Sequence, residues 1–162
     1  MPVTETHTYF SPIGPLLIEV FDNQIIKVLF SDTEVKTKGF NTELREKLNY
    51  QLDEYFAGRL FDFDLPVHPA GTDFQKRVWN QLLSIPYGKQ LTYLELAFQL
   101  GNRNLLRAVG GANSRNPVAI IVPCHRVIGT NQKLVGYAGG IWRKKWLLQH
   151  ENTHDPFRTT LL

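Results

Sequence analysis

The sequence has little of what would place the protein outside the cell or in a membrane. It contains one cysteine, Cys124, so it cannot form an internal disulfide, and such a chain suits a reducing compartment. The first residues, 1–7, lack the basic and apolar segments of a secretory signal peptide. No apolar run approaches the roughly 20 residues that a membrane-spanning helix needs. We therefore expect a cytoplasmic protein that does not bind membranes.

The chain is also poor in net charge, but its charges are unevenly distributed. Its 162 residues include 18 Lys and Arg against 15 Asp and Glu, a formal net charge of +3. Residues 1–71 hold 6 basic and 11 acidic side chains (−5), whereas residues 72–162 hold 12 and 4 (+8). The basic excess could be an ordinary solvated surface. It is also typical of a region that binds a polyanion such as nucleic acid.

Residues 1–70 are interpreted as a small α+β structural domain. Apolar segments separated by turns predict three strands: Thr6–Phe10, Leu16–Phe21 and Ile25–Phe30. Asn41 is a candidate N-cap for an amphipathic helix that ends near Gly58 and would cover the sheet. The alternation of apolar and acidic residues at Leu60–Leu65 predicts a half-exposed strand. No pattern in this half indicates a chemical site.

A segment with two prolines and a glycine, residues 66–71, predicts a linker to a second domain, residues 71–162. The capping box Thr72-Asp73-Phe74-Gln75 opens a helix that Ile85–Gly88 ends. A second capping box at Thr92–Glu95 opens a short helix.

A glycine-containing turn then leads to another helix, over Leu105–Ser114, which we expect Asn104 to cap. Two short helices joined in this way are typical of a helix-turn-helix, with Leu105–Ser114 in the recognition position. Such pairs also occur in proteins that do not bind DNA. Arg107 near the start of the second helix and the flat surface of Gly110 and Gly111 favour the DNA-binding interpretation.

The only cysteine follows an apolar, β-branched run, Val118–Val122, which predicts a buried strand ending at Pro123. His125 and Arg126 come directly after Cys124, and a neighbouring base or cation favours the nucleophilic thiolate. Adjacency alone does not show contact, because successive side chains of an extended segment point to opposite faces. A lone cysteine at a strand end is also commonly a small buried hydrophobic residue.

The rest of the chain is predicted as a turn at Gly129–Asn131, a small-residue loop at Gly136–Gly140, a last helix from Ile141 to about His150, and an irregular tail over Asn152–Leu162. We expect this helix to bury Trp142, Trp146 and Leu147. The side chains expected on its outer face are Arg143, Lys144 and Lys145.

The run Pro-Cys-His-Arg-Val at 123–127, with Arg107–Ala112 and Asn116-Pro117 upstream, resembles the O6-alkylguanine-DNA alkyltransferases, also called methylated-DNA–protein-cysteine S-methyltransferases. The resemblance extends from about Thr72 to Glu151 and is weaker over the N-terminal part. It implies an α+β fold: a small N-terminal sheet with a covering helix, then a mostly helical C-terminal domain with a helix-turn-helix and an active-site cysteine.

The resemblance also implies direct-reversal DNA repair. An alkyl group on guanine O6, and on thymine O4, moves irreversibly to Cys124, once per molecule, after the nucleotide is flipped out of the duplex. The expected partner is double-stranded DNA containing O6-alkylguanine, contacted through the minor groove by a monomer. No cofactor and no metal is implied.

Roles carry over position by position. Cys124 matches the nucleophile, His125 the base that takes the thiol proton through a bound water, and Glu151 the carboxylate that orients the histidine. Tyr93 matches a tyrosine that rotates the target's phosphate and donates a hydrogen bond to the departing base. Asn116 matches an asparagine that braces the turn before the active-site strand.

Arg107 matches the arginine that takes the flipped base's place in the stack. The other residues expected to face DNA are Thr92, Tyr93, Ala108, Gly110, Gly111, Asn113, Ser114, Arg115 and Arg126. The residues expected to line the substrate pocket are Tyr93, Val127, Tyr137, Ala138 and Gly139. Ala138 stands where some members have a serine that can hydrogen-bond O6, which leaves the selectivity among lesions open.

Other interpretations remain. An alkyltransferase-like protein that recognises alkylated bases without repairing them would carry another residue, often tryptophan, in place of Cys124. A cysteine hydrolase would need an oxyanion hole and leaves the basic half unexplained. Zinc binding by Cys124, His125, His150 and His154 is a weak signal. A transcription regulator of this family would need a metal-bound methyl-acceptor domain, for which the chain has no room.

Overall fold

An antiparallel sheet of three strands begins the fold. The computed structural model describes residues 3–33 and 37–158. In it β1 (Glu5–Ser11), β2 (Gly14–Phe21) and β3 (Gln24–Phe30) pair in chain order, which confirms the three predicted strands. Asp22 and Asn23 have positive φ angles of 49° and 58°, as a tight two-residue hairpin turn requires. Residues 34–36 of the predicted loop lie outside the described residues.

One helix of the N-terminal half, α1 (Thr42–Phe56), covers this sheet. Its predicted cap is confirmed, because the side chain of Asn41 accepts a hydrogen bond from Leu44 N at 3.0 Å. The hydroxyl of Tyr9 on β1 donates to Asp53 on the helix. The helix ends at Phe56, close to the predicted stop at Gly58.

The predicted strand at Leu60–Leu65 is wrong. The segment is irregular, and the backbone of Asp64 bonds to a side chain of α1 instead of a neighbouring strand. Gln51 donates to Asp64 O and accepts from Asp64 N, both at 2.9 Å. Further along the chain, Val67 forms an isolated bridge with Ile25 of β3.

The C-terminal half contains four helices within the described residues: α2 (Asp73–Leu82), α3 (Tyr93–Gln99), α4 (Leu106–Ser114) and α5 (Ile141–His154). A short parallel pair, β4 (Leu91–Thr92) with β5 (Val127–Ile128), joins them. The capping box at Thr72 has both of its bonds. At the start of α3, Thr92 accepts from Glu95 N, but the Glu95 carboxylate bonds the Thr92 hydroxyl rather than its backbone.

The pair α3 and α4 packs together as the predicted helix-turn-helix. The prediction that Asn104 caps the second helix is wrong. Asn102 instead caps the 3₁₀ turn over Arg103–Leu105 that precedes α4, accepting from Asn104 N at 2.7 Å. Leu105 gives α4 no side-chain cap, so the first N–H groups of the helix are not bonded to a capping side chain.

The predicted strand at Val118–Val122 is also wrong. Val118 makes a single bridge to Val28 of β3, and the chain then turns, with Val122 N donating to Val118 O at 3.1 Å. Ile120 has a φ of 71°, a conformation that a β-branched residue rarely adopts. The run is apolar because it is buried on all sides, not because it belongs to a sheet.

The last helix is longer than predicted, and it buries Leu147 as predicted but otherwise turns a partly different face inward. It continues to His154, so the first residues of the predicted tail are helical, and residues 159–162 lie outside the described part. Trp142, predicted buried, is 57% exposed, whereas Lys144, predicted exposed, is fully buried. The buried stripe contains Lys144, Leu147, Leu148 and Glu151, which repeat at helical spacing.

One apolar core joins the two halves. It includes β2 and β3, the inner face of α1, and buried residues of α2, α3, α4 and α5. Within residues 3–33 and 37–158, no helix is long and apolar enough to span a membrane. The turn before Cys124 lies where the sheet and the helical half meet, because the backbone of Val28 in β3 bonds both Pro117 O and Ala119 N.

Candidate active site

A cavity of about 780 Å³ opens beside Cys124. Leu29 and Phe30, at the end of β3, form one wall, and the loop from Val135 to Gly139 forms another. Tyr93 of α3 and the exposed face of α4 complete it. The cavity therefore joins the only cysteine to the helix predicted to contact DNA.

Asn116 shapes the turn that presents the cysteine. Its side chain accepts from Val118 N at 3.0 Å and donates to the carbonyls of Val118 and Val122 at 3.2 and 2.8 Å. These bonds close the turn over 116–122. From outside, Val28 N donates to Pro117 O at 2.9 Å and Ala119 N donates to Val28 O at 2.8 Å. The backbone before Cys124 is thus fixed by the Asn116 side chain and by the edge strand β3.

Cys124 is a thiol in this resting geometry. It begins a 3₁₀ turn over Cys124–Arg126 and is 7% exposed. Burial raises the pKa of the thiol, while the Asn116 amide and the Lys144 ammonium act in the opposite direction. A buried thiol of this kind needs a base to become a nucleophile.

The base is placed by a short buried relay. His125 Nε2 lies 2.6 Å from Glu151 Oε2, and both side chains are removed from solvent. Burial lowers the pKa of His125 despite the nearby carboxylate, so the ring is neutral. A neutral ring that donates Nε2–H to Glu151 carries its lone pair on Nδ1. Nδ1 is buried and has no hydrogen-bond partner among the described residues.

Arg126 keeps the carboxylate of this relay ionised. Burial opposes ionisation of Glu151, but His125 and Arg126 together hold its pKa far below the usual range. The Arg126 guanidinium donates to Glu151 Oε1 at 2.8 Å and to Oε2 at 3.2 Å, and to Ile85 O at 2.7 Å. Arg126 is therefore an internal partner of Glu151 and does not reach the surface, where we expected it to contact DNA.

Two other predicted site residues lie elsewhere than expected. Asn113 is buried on the inner face of α4, and its amide donates to the Tyr93 hydroxyl and to Cys124 O, both at 3.4 Å. Val127 is fully buried in β5, paired with Leu91, and does not line the cavity. Asn113 thus braces α3, α4 and the cysteine turn, and it also lines the cavity.

The remaining predicted residues lie on the cavity or on the exposed side of the helix pair. Arg107 is exposed at the cavity mouth, and Gly110 and Ser114 line the same wall. A Cβ placed on Gly110 would meet no atom within 4 Å, so this part of α4 presents open surface. The residues outside the cavity wall are Ala108 and Gly111 on α4, Arg115 at its C-terminal end, and Thr92, which caps α3.

Tyr93 and the pocket loop are held by a lysine that we did not predict as a site residue. Tyr93 OH donates to Val135 O at 3.1 Å. The buried Lys144 ammonium donates to Val135 O and Gly136 O, both at 3.3 Å, and lies 5.7 Å from the centre of the Tyr93 ring. Burial lowers the pKa of Lys144 to about 8. Lys144 lies seven residues before Glu151, and this spacing places both on one helix face.

The zinc interpretation finds no support in the positions of its proposed ligands. His125 is bonded to Glu151, and His150 Nε2 lies 2.8 Å from Tyr55 O. Across the described parts of the chain, no three His, Cys, Asp or Glu side chains are grouped so that they could hold a metal ion.

Two family models match the chain. One is described as the 6-O-methylguanine DNA methyltransferase DNA-binding domain and matches residues 73–153; the other is the ribonuclease-like domain of the same proteins and matches residues 6–69. A methylated-DNA–protein-cysteine methyltransferase of Methanosarcina acetivorans is 48% identical over 148 residues, covering 88% of this chain and 95% of the relative. The corresponding Mycobacterium leprae protein is 48% identical over 146 residues, covering 87% and 88%.

Solved structures agree with these sequence matches. The crystal structure of Mycobacterium tuberculosis O6-methylguanine methyltransferase superposes with a TM-score of 0.83 at 41% identity, covering 96% of each chain. The crystal structure of Mycobacterium tuberculosis OGT in complex with DNA gives 0.83 at 43% identity, covering 93% of this chain and 94% of that one. The chain belongs to the 6-O-methylguanine DNA methyltransferase family.

Proposed function

We propose that this protein repairs DNA by moving an alkyl group from guanine O6, and also from thymine O4, to Cys124. The observation that carries the proposal is the position of the cysteine. Cys124 opens into an apolar cavity of about 780 Å³ whose other wall is the exposed face of α4 with Arg107. The names of the most similar relatives point to the same reaction.

The transfer is an in-line displacement. Cys124 Sγ attacks the alkyl carbon, the S–C bond forms, and the C–O6 bond breaks with its electron pair leaving on the purine. The departing base is neutralised by a proton, so the products are S-alkylcysteine and guanine. Because a thioether does not revert to a thiol, each protein molecule acts once, and the transfer needs no added cofactor.

The proton relay follows from the resting geometry. The thiol of Cys124 is protonated because burial raises its pKa, and His125 Nδ1 accepts no hydrogen bond from any residue that the structure describes. A water between them would carry the thiol proton to Nδ1, and Glu151 then stabilises the imidazolium. The Lys144 ammonium favours the thiolate once it forms.

The DNA face is the exposed side of α3 and α4. Arg107 lies at the cavity mouth, as a side chain that fills the place of an extruded base must. Tyr93 lines the cavity, and its hydroxyl can exchange Val135 O for the leaving base. We also place this activity in the cytoplasm, where a reducing medium keeps Cys124 a thiol.

Mass spectrometry of the intact protein and of its peptides, after mixing with duplex DNA that contains one O6-methylguanine, tests the proposal. We expect one added methyl group on the peptide that contains Cys124, saturating at one per protein. Cys124→Ala should bind the same duplex and gain no mass. Binding by the wild type without any mass change would support lesion recognition without repair, and a methyl group on another peptide would reject Cys124 as the acceptor.

A further inference from the structure

We propose that Tyr55, on α1 of the N-terminal half, is a positioning residue for alkyl transfer. Its hydroxyl fixes the Glu151 carboxylate so that His125 presents Nδ1 to Cys124. The inference deepens the proposed function and rests on it. It assigns a positioning role in the reaction to a half of the chain that the sequence predicts to be only structural.

The contact is short, buried and distant in sequence. Tyr55 OH donates to Glu151 Oε2 at 2.6 Å, across a separation of 96 residues. His125 Nε2 contacts the same oxygen at 2.6 Å, and Tyr55 and Glu151 are each 1% exposed. The hydroxyl and the imidazole therefore converge on one carboxylate oxygen, in a place from which water is excluded.

The second oxygen shows why this convergence matters. Glu151 Oε1 accepts from Arg126 Nε at 2.8 Å, and Arg126 also reaches Oε2 at 3.2 Å. Arg126 alone would form a bidentate salt bridge with the carboxylate and would balance its charge without His125. The Tyr55 hydroxyl adds a third direction, which fixes the rotation of the carboxylate and keeps Oε2 aimed at His125.

Tyr55 cannot move away from this position easily. Its ring packs against Phe56, Phe63, Tyr87 and His150, with ring centres 5.2 to 6.2 Å apart. His150 belongs to α5, one residue before Glu151, and its Nε2 contacts Tyr55 O at 2.8 Å. The backbone of α1 and the end of α5 are thus joined at two points, so the hydroxyl reaches Glu151 from a rigid support.

The hydrogen bond from the Tyr55 hydroxyl also partly neutralises the negative charge of the Glu151 carboxylate that faces His125. The other charged groups facing His125 are Lys144 and Glu151 from α5 and Arg126 from its own turn, and none of them changes in Tyr55→Phe. Without the hydroxyl, the carboxylate should stabilise the imidazolium more strongly and raise the pKa of His125. The acid limb of the rate profile should then move to higher pH, because only neutral His125 can take the thiol proton.

Tyr87 provides a matched control. Its ring lies 6.2 Å from that of Tyr55, and the Arg126 guanidinium lies 5.7 Å from its centre. Its hydroxyl is buried but has no hydrogen-bond partner among the described residues. Tyr87→Phe therefore makes the same chemical change in the same part of the core without removing a bond to Glu151.

The experiment measures single-turnover methyl transfer from duplex DNA containing O6-methylguanine, from acid to alkaline pH, with DNA affinity measured in parallel. Tyr55→Phe should lower the maximal rate by about tenfold or more and shift the acid limb upward, with the affinity for DNA unchanged. Tyr87→Phe should leave both the rate and the limb as in the wild type. A fluorinated tyrosine at position 55 keeps the hydroxyl as a stronger donor, so it should shift the acid limb downward.

Wild-type rates and limbs in Tyr55→Phe would overturn this inference and leave the proposed function standing. An equal loss in Tyr87→Phe would also overturn it, because the effect would then follow from core packing. If Tyr55→Phe does not fold, the fluorinated variant decides, and an unchanged acid limb there overturns the inference. Absence of transfer by the wild type would reject the proposed function and this inference together.

Discussion

The two halves of the chain bury different kinds of side chain. In the N-terminal half, the buried polar residues of the described part are His7, Thr8 and Gln51. In the C-terminal half they are Asn113, Asn116, His125, Arg126, Lys144, His150 and Glu151. Burial lowers the pKa of His7, so that side chain is neutral, whereas Arg126, Lys144 and Glu151 carry charge into the core. Buried charge costs stability unless it is paired, and here Arg126 pairs with Glu151 while Lys144 bonds two backbone carbonyls.

The difference shows how the chain divides its tasks. The helical half contains the reacting groups, and burying their charges lowers its stability. The N-terminal half provides an apolar sheet whose edge strand bonds the turn before Cys124, and a helix whose Tyr55 reaches Glu151. The boundary between the halves in sequence is therefore not a boundary in the site.

Glu151→Gln should have the largest effect on transfer rate and stability, because Glu151 bonds residues of both halves. A neutral amide cannot balance Arg126 or an imidazolium, so we expect the transfer rate to fall at least about 100-fold. The free energy of unfolding should fall by about 3 kcal/mol, because Arg126 is left buried without its partner. Single-turnover kinetics and urea denaturation measure the two effects.

Glu54→Gln is the control for that substitution. Glu54 forms a similar two-point pair with Arg59, at 2.8 and 2.9 Å, but on the surface of the N-terminal half. Exposed pairs contribute little, so both rate and stability should stay near wild type. Equal effects of the two substitutions would contradict the assignment of buried charge to the reacting half.

The lowered pKa of Lys144 predicts a pH-dependent free energy of unfolding that originates in the C-terminal half. Its folded-state pKa is about 8, whereas an unfolded lysine titrates near 10.4, so the unfolded chain binds more protons between these values. Stability must therefore rise with pH in this window. Relative to Lys144→Met, the wild-type free energy of unfolding should increase by about 2 kcal/mol from pH 8 to about pH 10.

Lys145→Met, at the exposed neighbouring position, should leave that pH dependence unchanged. Denaturation curves at several pH values compare the three proteins, and the tyrosines common to all of them cancel. A wild type whose stability does not rise relative to Lys144→Met would mean that the lysine is not held as a buried cation.

Arg107→Ala should affect duplex DNA without affecting chemistry at Cys124. The exposed side chain at the cavity mouth would no longer fill the gap left by an extruded base, so we expect about a tenfold slower repair of duplex DNA. Reaction with free O6-benzylguanine should be unchanged. Arg158→Ala, which removes an exposed arginine outside both the cavity wall and the helix pair, serves as the control. Similar losses with both substrates would remove the proposed role of Arg107.

Val28→Pro gives the smallest expected effect on the transfer rate and tests the support from the sheet. Proline removes the N–H that bonds Pro117 O on the outer edge of β3 and puts its ring against that oxygen, so the free energy of unfolding should fall by about 3 kcal/mol. Reaction with free O6-benzylguanine should slow a few-fold, because the turn before Cys124 is less well fixed. Val28→Ala keeps the N–H, so an equal slowing by that variant would attribute the effect to packing.

What could be predicted from sequence was local. Cys124, His125 and Arg126 are adjacent, and the caps at Asn41 and Thr72 lie within three residues of the groups they bond. Such features are visible because the interacting residues share one short stretch of chain. The hairpin was found for the same reason.

What could not be predicted depends on distant contacts. Tyr55 looked like any apolar-face residue of α1, since its partner is 96 residues away. The run Val118–Val122 has strand composition, but its backbone bonds go to Asn116 and Val28. Lys144 was accessible to reasoning, because it shares a helical stripe with Glu151. Trp142 lies two residues earlier, about 200° around the helix, and so faces outward.

A crystal structure of Cys124→Ser bound to duplex DNA containing O6-methylguanine tests the central claim most directly. We expect the modified base outside the helix, within the cavity, with its methyl carbon facing residue 124 and the Arg107 side chain inside the duplex. Glu151 should still contact both Tyr55 and His125. A base that stays stacked in the duplex, or one bound away from residue 124, would contradict the account.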